Sequence, residues 1–433
     1  MNSSVLSWNR WPKYVHQNVI DIPDRYAALP RSETSLLPYG NGRSYGDVCL
    51  NEGNTLLKTR RLNHFIEFDR RSGRLACEAG LLLKDILDLI VPQGWFLPVT
   101  PGTRFVTVGG AIANDVHGKN HHSAASFGNH VLCFELARSD GQRILCNPTK
   151  HSEMFSATIG GLGLTGLITW AEIQLVPICN SMMLVEARKF TTFDEFWSID
   201  AEAASHWPYT VGWIDCLSGA RQGGRGLYFS GRHAPYMNDI PIPKNRQWRV
   251  SIDPPFSLVT NTTLRLFNTL YYRMPRARGP ALVDYTSYFY PLDGILEWNR
   301  IYGRKGFFQY QCVLPPDTSR DGIRALLARI GKSGQGSFLA VIKRFGDIPS
   351  KGMLSFPRPG VTLALDFPNR DQLVLRLFQE LDTIVREAGG ALYPAKDARM
   401  PPDLFRSGYP KWEQFSRFID PKFSSSFWRR VSA

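Results

Sequence analysis

The chain has 433 residues, of which 43% are hydrophobic and 12% aromatic, and its formal net charge is +13. This length allows two domains, and this composition excludes a disordered or fibrous protein. Seven cysteines at scattered spacings form neither a disulfide framework nor a paired metal motif, and no apolar run is long enough to span a membrane. The first residues lack the pattern of a signal peptide, so we expect a cytoplasmic protein.

The positive charge indicates an anionic partner, although solubility alone is the simpler explanation. The basic residues are spread along the chain rather than gathered in blocks, and no nucleic-acid-binding motif is present. The charge therefore favours an anionic substrate and an anionic membrane surface over nucleic acid.

Residues 1–178 are predicted to form short strands separated by glycine turns. The segments 54–59 and 74–79 have the residue types of strands. Leu81–Val91 has the apolar spacing of an amphipathic helix. A glycine-rich turn begins at Gly160 and leads into a strand that ends at Pro177.

Residues 179–391 alternate between strand-like and helical patterns, which predicts a mixed or antiparallel sheet with helices on one face. The strand-like runs are 308–314 and 361–367, and the helical runs are 321–330 and 371–388. The stretch near 219–280 is rich in Pro, Gly, Arg and Asn, so we expect a mobile loop there. Asp403–Phe418 has a helical pattern.

Three glycine-rich segments could approach a flat or phosphorylated ligand. The first, Leu37–Asp47, would by itself be no more than a surface turn. The second couples Gly109 and Gly110 to a polar segment that ends at His122, a pattern typical of a cradle for a bulky cofactor. The third, Gly160–Gly166, precedes a strand rather than a helix, which excludes a dinucleotide fingerprint.

Three titratable positions leave alternatives open. The histidines of His117–His122 could suggest a metal site, but no second ligand cluster accompanies them, and structural histidines are the more common case. Lys396 is either a surface residue or a cation beside an electron-accepting ring. Lys343 interrupts an apolar run and is either a charge on an edge strand or a contact to a substrate phosphate or hydroxyl.

Together these motifs resemble the decaprenylphosphoryl-β-D-ribose 2-oxidase family of the vanillyl-alcohol-oxidase superfamily, in order along nearly the whole chain. The resemblance is carried by Gly42-Arg-Ser-Tyr-Gly-Asp47, Val106-Thr-Val-Gly-Gly-Ala-Ile-Ala113, His117-Gly-Lys-Asn-His-His-Ser123 and Ala395-Lys-Asp397. It implies an α+β fold with an FAD-binding domain built from residues 1–178 and 392–433, and a substrate-binding domain at 179–391.

The resemblance also implies the site residues. FAD would be bound without a covalent bond, because Arg43 stands where covalent relatives carry His. The FAD contacts implied are Pro38, Tyr39, Gly40, Asn41, Gly42, Arg43, Ser44, Tyr45, Gly46, Asp47, Val48, Gly102, Thr107, Val108, Gly109, Gly110, Asn114, Asp115, Val116, His117, Ile168 and Tyr393. The implied catalytic residues are Lys396, His117 and Tyr45. The implied substrate contacts are Lys343, Gln311, Trp213 and Lys396.

The reaction implied is oxidation of the C2 hydroxyl of a polyprenylphosphoryl-β-D-ribofuranose to the 2-keto sugar. A short-chain reductase would then complete the epimerisation to an arabinofuranose donor, and oxygen or a quinone would reoxidise the flavin. The enzyme would lie peripherally on the inner face of a bacterial plasma membrane. One alternative is an oxidase of a free sugar, alditol or nucleoside on the same fold. Another is a non-catalytic flavin-binding or nucleic-acid-binding protein.

Overall fold

The chain folds into an α+β structure, and the strands of its described residues form three main sheets and two short strand pairs. A computed structural model describes residues 5–218, 224–236, 247–274 and 279–433. The strands of these residues are β1 (Asn18–Asp21), β2 (Leu36–Tyr39), β3 (Thr55–Lys58), β4 (Phe65–Asp69), β5 (Arg74–Glu78), β6 (Trp95–Phe96), β7 (Val131–Ala137), β8 (Arg143–Cys146), β9 (Leu167–Gln174), β10 (Val176–Pro177), β11 (Met182–Phe190), β12 (Tyr209–Ile214), β13 (Gly226–His233), β14 (Trp248–Arg249), β15 (Ala281–Asp284), β16 (Ile295–Leu296), β17 (Phe307–Leu314), β18 (Ala340–Phe345), β19 (Gly360–Pro368) and β20 (Ala391–Leu392).

Helices connect and cover these sheets. They are α1 (Leu83–Ile90), α2 (Val108–Ala113), α3 (His121–Ala124), α4 (Ser152–Thr158), α5 (Phe193–Ala204), α6 (Asn261–Arg273), α7 (Tyr285–Phe289), α8 (Pro316–Ser333), α9 (Gln372–Glu387), α10 (Pro402–Gly408), α11 (Trp412–Ser416) and α12 (Ser426–Ser432). Within the described ranges, none of these helices is long and apolar enough to cross a membrane.

Two of the sheets come from the first 177 residues. β1, β3 and β2 lie parallel in a three-stranded sheet, and the order β4-β5-β9-β7-β8 forms an antiparallel five-stranded sheet. The predicted strands at 54–59 and 74–79 are confirmed as β3 and β5, and the glycine-rich turn leads into β9 as predicted. The helix predicted at Leu81–Val91 is confirmed as α1, which buries Leu83, Ile86, Leu87 and Ile90 on one face.

The third sheet has eight strands in the order β15-β11-β13-β12-β18-β19-β17-β20, and every neighbouring pair is antiparallel. The strands predicted at 308–314 and 361–367 are confirmed as β17 and β19, and the predicted helices are confirmed as α8 and α9. On β17, Phe308 and Tyr310 pack against Phe378 of α9. The alternate residues of that strand therefore point to the opposite face, away from the helices.

The structure differs from three expectations. A mobile loop is predicted at 219–280, but the described part of this stretch includes β13 and α6. Both elements bury apolar residues, such as Leu227 and Leu264. Positions 219–223, 237–246 and 275–278 of the predicted loop lie outside the described residues. The helix predicted at Asp403–Phe418 is divided into α10 and α11, since Pro410 cannot donate a helical hydrogen bond. Finally, Lys343 is not on an edge strand, because β18 lies between β12 and β19.

The segment after β20 returns to the first part of the chain. Arg430 forms ion pairs with Asp47 at 2.7 Å and with Asp397 at 3.0 Å. The backbone N–H of Leu36 donates to the carbonyl of Lys422 at 2.6 Å. These contacts hold residues 394–430 against the loop that follows β2.

Candidate active site

A large cleft lies between the glycine-rich loops of the first part of the chain and the helix-free face of the eight-stranded sheet. Its cavity volume is about 330 Å³. Most of the residues predicted to bind a cofactor or substrate line it: Pro38, Gly40, Asn41, Gly42, Arg43, Ser44, Tyr45, Val48, Gly102, Thr107, Gly110, Asn114, Val116, His117, Gln311, Lys343, Tyr393 and Lys396.

The loop wall of the cleft, residues 38–48 and 101–117, is built from close backbone turns. Gly42 has φ of +59°, and a Cβ there would lie against the Tyr39 hydroxyl. A Cβ on Gly40 would lie 2.5 Å from Oγ1 of Thr107, whose hydroxyl also accepts the N–H of Gly110 and begins α2. The backbone N–H of Tyr45 donates to the carbonyl of Ala395 at 2.9 Å, which ties this wall to the C-terminal segment. The glycines are therefore required by close packing.

Several predicted cofactor contacts support the wall from behind instead of lining the cleft. The Asp115 carboxylate accepts hydrogen bonds from the hydroxyls of Ser126 and Ser355 and from the N–H of Gly128. Asp47 is held by Arg430.

The other predicted contacts outside the cleft are structural. The Tyr39 hydroxyl donates to the carbonyl of Leu6 at 2.8 Å, and Gly46 packs closely against the backbone of Asp397. Val108, Gly109 and Ile168 do not line the cleft: Val108 and Ile168 are buried in the core, and Gly109 packs on Ala79. Trp213 lies within the sheet, where its Nε1–H donates to the carbonyl of Phe338 at 2.8 Å.

The sheet wall of the cleft consists of alternate side chains from β17, β18 and β19. It includes Gln309 and Gln311 of β17, Val341 and Lys343 of β18, and Thr362, Ala364 and Asp366 of β19. Gln309 and Asp366 are direct cross-strand partners, and Nε2 of Gln309 donates to Oδ1 of Asp366 at 2.5 Å. The other carboxylate oxygen, Oδ2, is buried and has no hydrogen-bond partner among the described residues.

Lys396 and Asp366 are the charged groups at one end of this wall. The ammonium of Lys396 lies 3.8 Å from the centre of the Tyr45 ring. Burial lowers the pKa of Lys396, and the charge of Asp366 partly offsets that effect. Burial raises the pKa of Asp366 well above that of an ordinary carboxyl group, against the opposing influence of Lys396 and Gln309. A carboxylate that lines a cleft, with a raised pKa and one unpaired oxygen, is suited to proton transfer.

His117 joins the loop wall to the sheet wall. Its Nδ1 lies 3.1 Å from Nζ of Lys343, and its Nε2 lies 3.1 Å from Nε2 of Gln311. Burial, together with the neighbouring charges of Lys343 and His121, holds the pKa of His117 well below its usual value, so the ring is neutral. Burial and the charge of Lys396 lower the pKa of Lys343 to about 7.

Lys119 adds a further buried cation next to this region. Burial and the charge of Lys343 lower its pKa to about 7, and its ammonium lies 4.0 Å from the centre of the Tyr288 ring. Of these lysines, Lys343 and Lys396 line the cleft together with Arg43, and the acidic residues Asp293, Glu297 and Asp366 line it as well. Buried lysines with a lowered pKa are suited to an anionic ligand, because the charge of that ligand would stabilise their protonated form.

The histidine-rich segment does not gather its rings at one point. His117 faces the cleft, whereas Nδ1 of His121 accepts the N–H of Gly346, and Nε2 of His122 lies 3.0 Å from the carbonyl of Trp207. In the parts of the chain that the structure describes, no group of three or more His, Cys, Asp or Glu residues is arranged to hold a metal ion.

The cleft has polar atoms that only a ligand or water could satisfy. Nε of Arg43, Oδ1 of Asn114, Oε1 of Gln309 and Oδ2 of Asp366 are buried without a hydrogen-bond partner in the described structure, and all four residues line the cleft. Such atoms are costly unless paired. Their spread along both walls, together with the glycine turns, fits a long ligand that has both flat and polar parts, as FAD does.

Sequence reasoning missed several residues of the cleft. Asp366, Gln309 and Thr362 were not predicted as site residues, and neither were Trp8 and Asp293. The alternation Gln309–Gln311 and Thr362–Ala364–Asp366, with polar residues at every second position of apolar strands, is a signal that could have found the first three. No comparable pattern marks Trp8, which stacks on the Arg43 guanidinium at 4.0 Å.

Comparisons with known proteins define the class to which this fold and cleft belong. Residues 17–147 match a family model described as an FAD binding domain. The protein is an FAD-dependent oxidoreductase. The chain is 35% identical over 409 residues to the decaprenylphosphoryl-β-D-ribose oxidase of Mycolicibacterium smegmatis, a match that covers 90% of this chain and 88% of that protein. The chain therefore belongs to the decaprenylphosphoryl-β-D-ribose oxidase family.

Two other relatives are informative about coverage. An uncharacterized protein encoded in the mprA 5′ region of Streptomyces coelicolor is 33% identical over 81% of this chain and its own full length. The L-gulonolactone oxidase of Mus musculus is 28% identical over 166 residues, 38% of this chain and 37% of that protein. The family resemblance inferred from the motifs is thus confirmed over both walls of the cleft.

Proposed function

We propose that this protein oxidises the C2 hydroxyl of a polyprenylphosphoryl-β-D-ribofuranose to the 2-keto sugar, the first half of an epimerisation toward an arabinofuranose donor for cell-surface glycans. The observation that carries the proposal is the pair of buried lysines in the cleft, Lys343 and Lys396, whose lowered pKa values would be raised again by the charge of a phosphorylated substrate. The name of the Mycolicibacterium smegmatis relative supports the same substrate.

We further propose two domains, an FAD-binding domain of residues 1–178 and 392–433 and a substrate-binding domain of residues 179–391. The loop wall would hold FAD without a covalent bond, since Arg43 stacks on Trp8 and offers no histidine for attachment. FAD, when bound, supplies the acceptor for the hydride that leaves the sugar carbon. The chain's own residues would then have to orient the sugar, exclude water and move one proton.

Asp366 is the residue we assign to accept the proton of the sugar hydroxyl. Asp366 lines the cleft, its Oδ2 is buried without a partner among the described residues, and its Oδ1 is fixed by Gln309. As the hydride leaves the carbon, the hydroxyl proton passes to Oδ2 and a carbonyl forms at C2, so electrons and protons balance. Lys396 supplies positive charge at the same end of the cleft, above the Tyr45 ring.

His117, Gln311 and Lys343 would orient the substrate rather than move its proton. The His117 ring has a strongly lowered pKa and is fixed by contacts to both Gln311 and Lys343, so it is a poor base and a rigid neighbour. Lys343 would pair with the phosphate. Trp213, which does not line the cleft, would act only by supporting the sheet wall.

The partners of this reaction follow from its chemistry. A short-chain reductase would reduce the keto sugar, and oxygen or a quinone would reoxidise the flavin. A polyprenyl substrate resides in a membrane, so the enzyme would lie peripherally on the inner face of the plasma membrane.

An anaerobic titration tests the function. The purified holoprotein is mixed with farnesylphosphoryl-β-D-ribofuranose in the absence of oxygen, and its visible spectrum is recorded. We expect the yellow colour to bleach, and acid to release free flavin. A flavin that bleaches only with a free sugar, alditol or nucleoside would show that the substrate belongs to another class and would refute the proposal. A protein that cannot bind FAD would overturn the assignment of the cleft.

A further inference from the structure

Exposed apolar side chains are concentrated in one stretch of the chain. In the described residues, 11 of the 18 large hydrophobic side chains that are exposed to solvent belong to positions 236–295. Single exposed apolar residues are ordinary, but such a concentration marks an interaction surface.

Helix α6 (Asn261–Arg273) presents part of this surface. Its buried residues, Leu264 and Asn268, face the body of the protein, where Nδ2 of Asn268 donates to Oδ1 of Asp215 at 2.9 Å. On another face, Leu266 and Leu270, one turn apart, are 61% and 58% exposed. A surface helix usually places polar residues on its solvent side, so this helix has a second apolar face that the described chain does not cover.

The segment before α6 also exposes apolar side chains, and it adjoins the cleft. Trp248, Ile252 and Phe256 are 71%, 77% and 69% exposed. Trp248 begins β14, which pairs in parallel with β16, and both residues of β16 line the cleft. The backbone N–H of Leu258 donates to the carbonyl of Ile301, which ties the same segment to the residues that follow β16. The apolar surface and one side of the cleft therefore share a backbone scaffold.

The charges around this surface are mainly positive. Arg249, Arg265 and Arg273 are exposed on the segment 247–274, and Arg304 and Lys305 are exposed next to β17. The acidic residue of the described part of 247–274 is Asp253, and it is paired with Arg10. Lys305 is already paired with Asp371 at 2.5 Å, and Arg249 lies 3.8 Å from Glu297. The apolar side chains are thus interspersed with cations, of which Arg265 and Arg273 are exposed on α6.

We propose that the docking surface, formed by Trp248, Ile252, Phe256, Leu266 and Leu270 with the surrounding arginines, binds the protein to an anionic lipid bilayer. Apolar side chains would enter the boundary between headgroups and acyl chains, while Arg249, Arg265 and Arg273 would meet the lipid phosphates. A second copy of the chain is a poorer occupant, because a two-fold contact would bring the same cations of both copies together. The biological purpose of the docking surface rests on the proposed polyprenyl substrate, but lipid binding is measured without turnover.

Vesicle sedimentation of the FAD-loaded protein tests this surface. We expect the protein to bind vesicles that contain phosphatidylglycerol and to bind phosphatidylcholine vesicles weakly. Leu266→Ser combined with Leu270→Ser should weaken binding by roughly tenfold or more, since each leucine loses apolar burial in the bilayer. Leu373→Ser is the matched control: Leu373 is 55% exposed on α9, and its change should leave binding as it was.

A second pair of variants tests the charges and guards against misfolding. Arg265→Gln and Arg273→Gln should each weaken binding to anionic vesicles by about fivefold and leave the weak binding to neutral vesicles unchanged. All variants should retain FAD and oxidise a water-soluble short-chain substrate at the wild-type rate, which separates this proposal from the proposed function.

Three results would overturn the docking surface. The first is wild-type protein that does not bind anionic vesicles, and the second is leucine and arginine variants that bind as strongly as wild type. The third is a wild-type dimer, measured by light scattering, that the leucine variant converts to a monomer, since the surface would then bind a second copy. Loss of turnover with vesicle binding intact would count against the proposed function alone.

Discussion

The loop wall of the cleft is built from backbone turns and small residues, whereas the sheet wall is built from the side chains of three antiparallel strands. On the loop wall, Gly40 and Gly42 approach neighbouring atoms so closely that a Cβ would clash. On the sheet wall, Gln309, Lys343 and Asp366 present functional groups from fixed register positions. Backbone turns suit binding of a large cofactor, and side chains on rigid strands suit the alignment of reacting groups. Mutations in the loop wall should therefore reduce binding of the cofactor, and mutations in the sheet wall should reduce turnover.

The sharpest test on the sheet wall is Asp366→Asn, which keeps the shape of the side chain and removes the base. We expect turnover to fall by about 10²–10⁴-fold with FAD still bound. In the wild type, activity should rise as Asp366 loses its proton, at a pH above the ordinary aspartate pKa of about 4, because burial raises the pKa of this residue. Stopped-flow reduction across pH measures both effects. If the variant keeps the acidic limb of the profile, Asp366 is not the proton acceptor.

Lys396→Ala should have the next largest effect. Removing the cation at the end of the cleft should lower turnover by about 10²–10³-fold. The yellow holoprotein should still form, because the loop wall that would hold FAD is unchanged. Steady-state kinetics and a flavin spectrum on the same sample check the result, with Lys396→Arg as a partial rescue. Full activity in the alanine variant would remove Lys396 from the mechanism.

Lys343→Gln should separate binding from chemistry on the same wall. Loss of a charged partner for the phosphate should raise KM by about tenfold or more with a smaller change in kcat. Lys150→Gln, at an exposed position away from the cleft, is the matched control for loss of one positive charge. An unchanged KM for a phosphorylated substrate would show that the phosphate binds elsewhere.

Gly42→Ala is the smallest change and tests the loop wall. An L-residue at φ of +59° is strained by about 1–2 kcal/mol, and here its Cβ also meets the Tyr39 side chain. FAD affinity should fall by roughly tenfold, as that strain distorts the turn. Gly53→Ala is the matched control, because Gly53 has a similar φ of +66° but open space around its Cβ position. If both variants lose FAD equally, general destabilisation is the cause.

The two walls also differ in how far the sequence predicted them. The loop wall came from contiguous motifs, and the resemblance that they carry predicted FAD contacts at residues 38–48, 107–110 and 114–117. Asp366 and Gln309 were missed, because they lie 57 positions apart and meet only through the register of β17 and β19. The alternation of polar residues marks each strand separately, but the pairing of the two side chains depends on strand register, which a local pattern does not encode.

The predicted contacts that do not line the cleft have a physical explanation as well. Asp115 and Asp47 belong to motifs of the loop wall, and motif membership does not distinguish a ligand contact from the support behind it. Both carboxylates instead bind partners within the protein. Asp115 accepts hydrogen bonds from two serines and a backbone N–H, and Asp47 forms an ion pair with Arg430. Trp213 sits at an apolar position in the interior of the sheet, where its packing matters more than its proximity to the cleft.

The ion pairs of Arg430 have a consequence for biosynthesis. Asp47, which they hold in place, lies 383 positions earlier in the chain. The loop that follows β2 therefore gains this anchor only after a further 383 residues have been synthesised. Contacts of such long range form late in folding. A nascent chain that stops before Arg430 lacks these ion pairs, so we expect it to capture flavin less well than a chain that includes that residue.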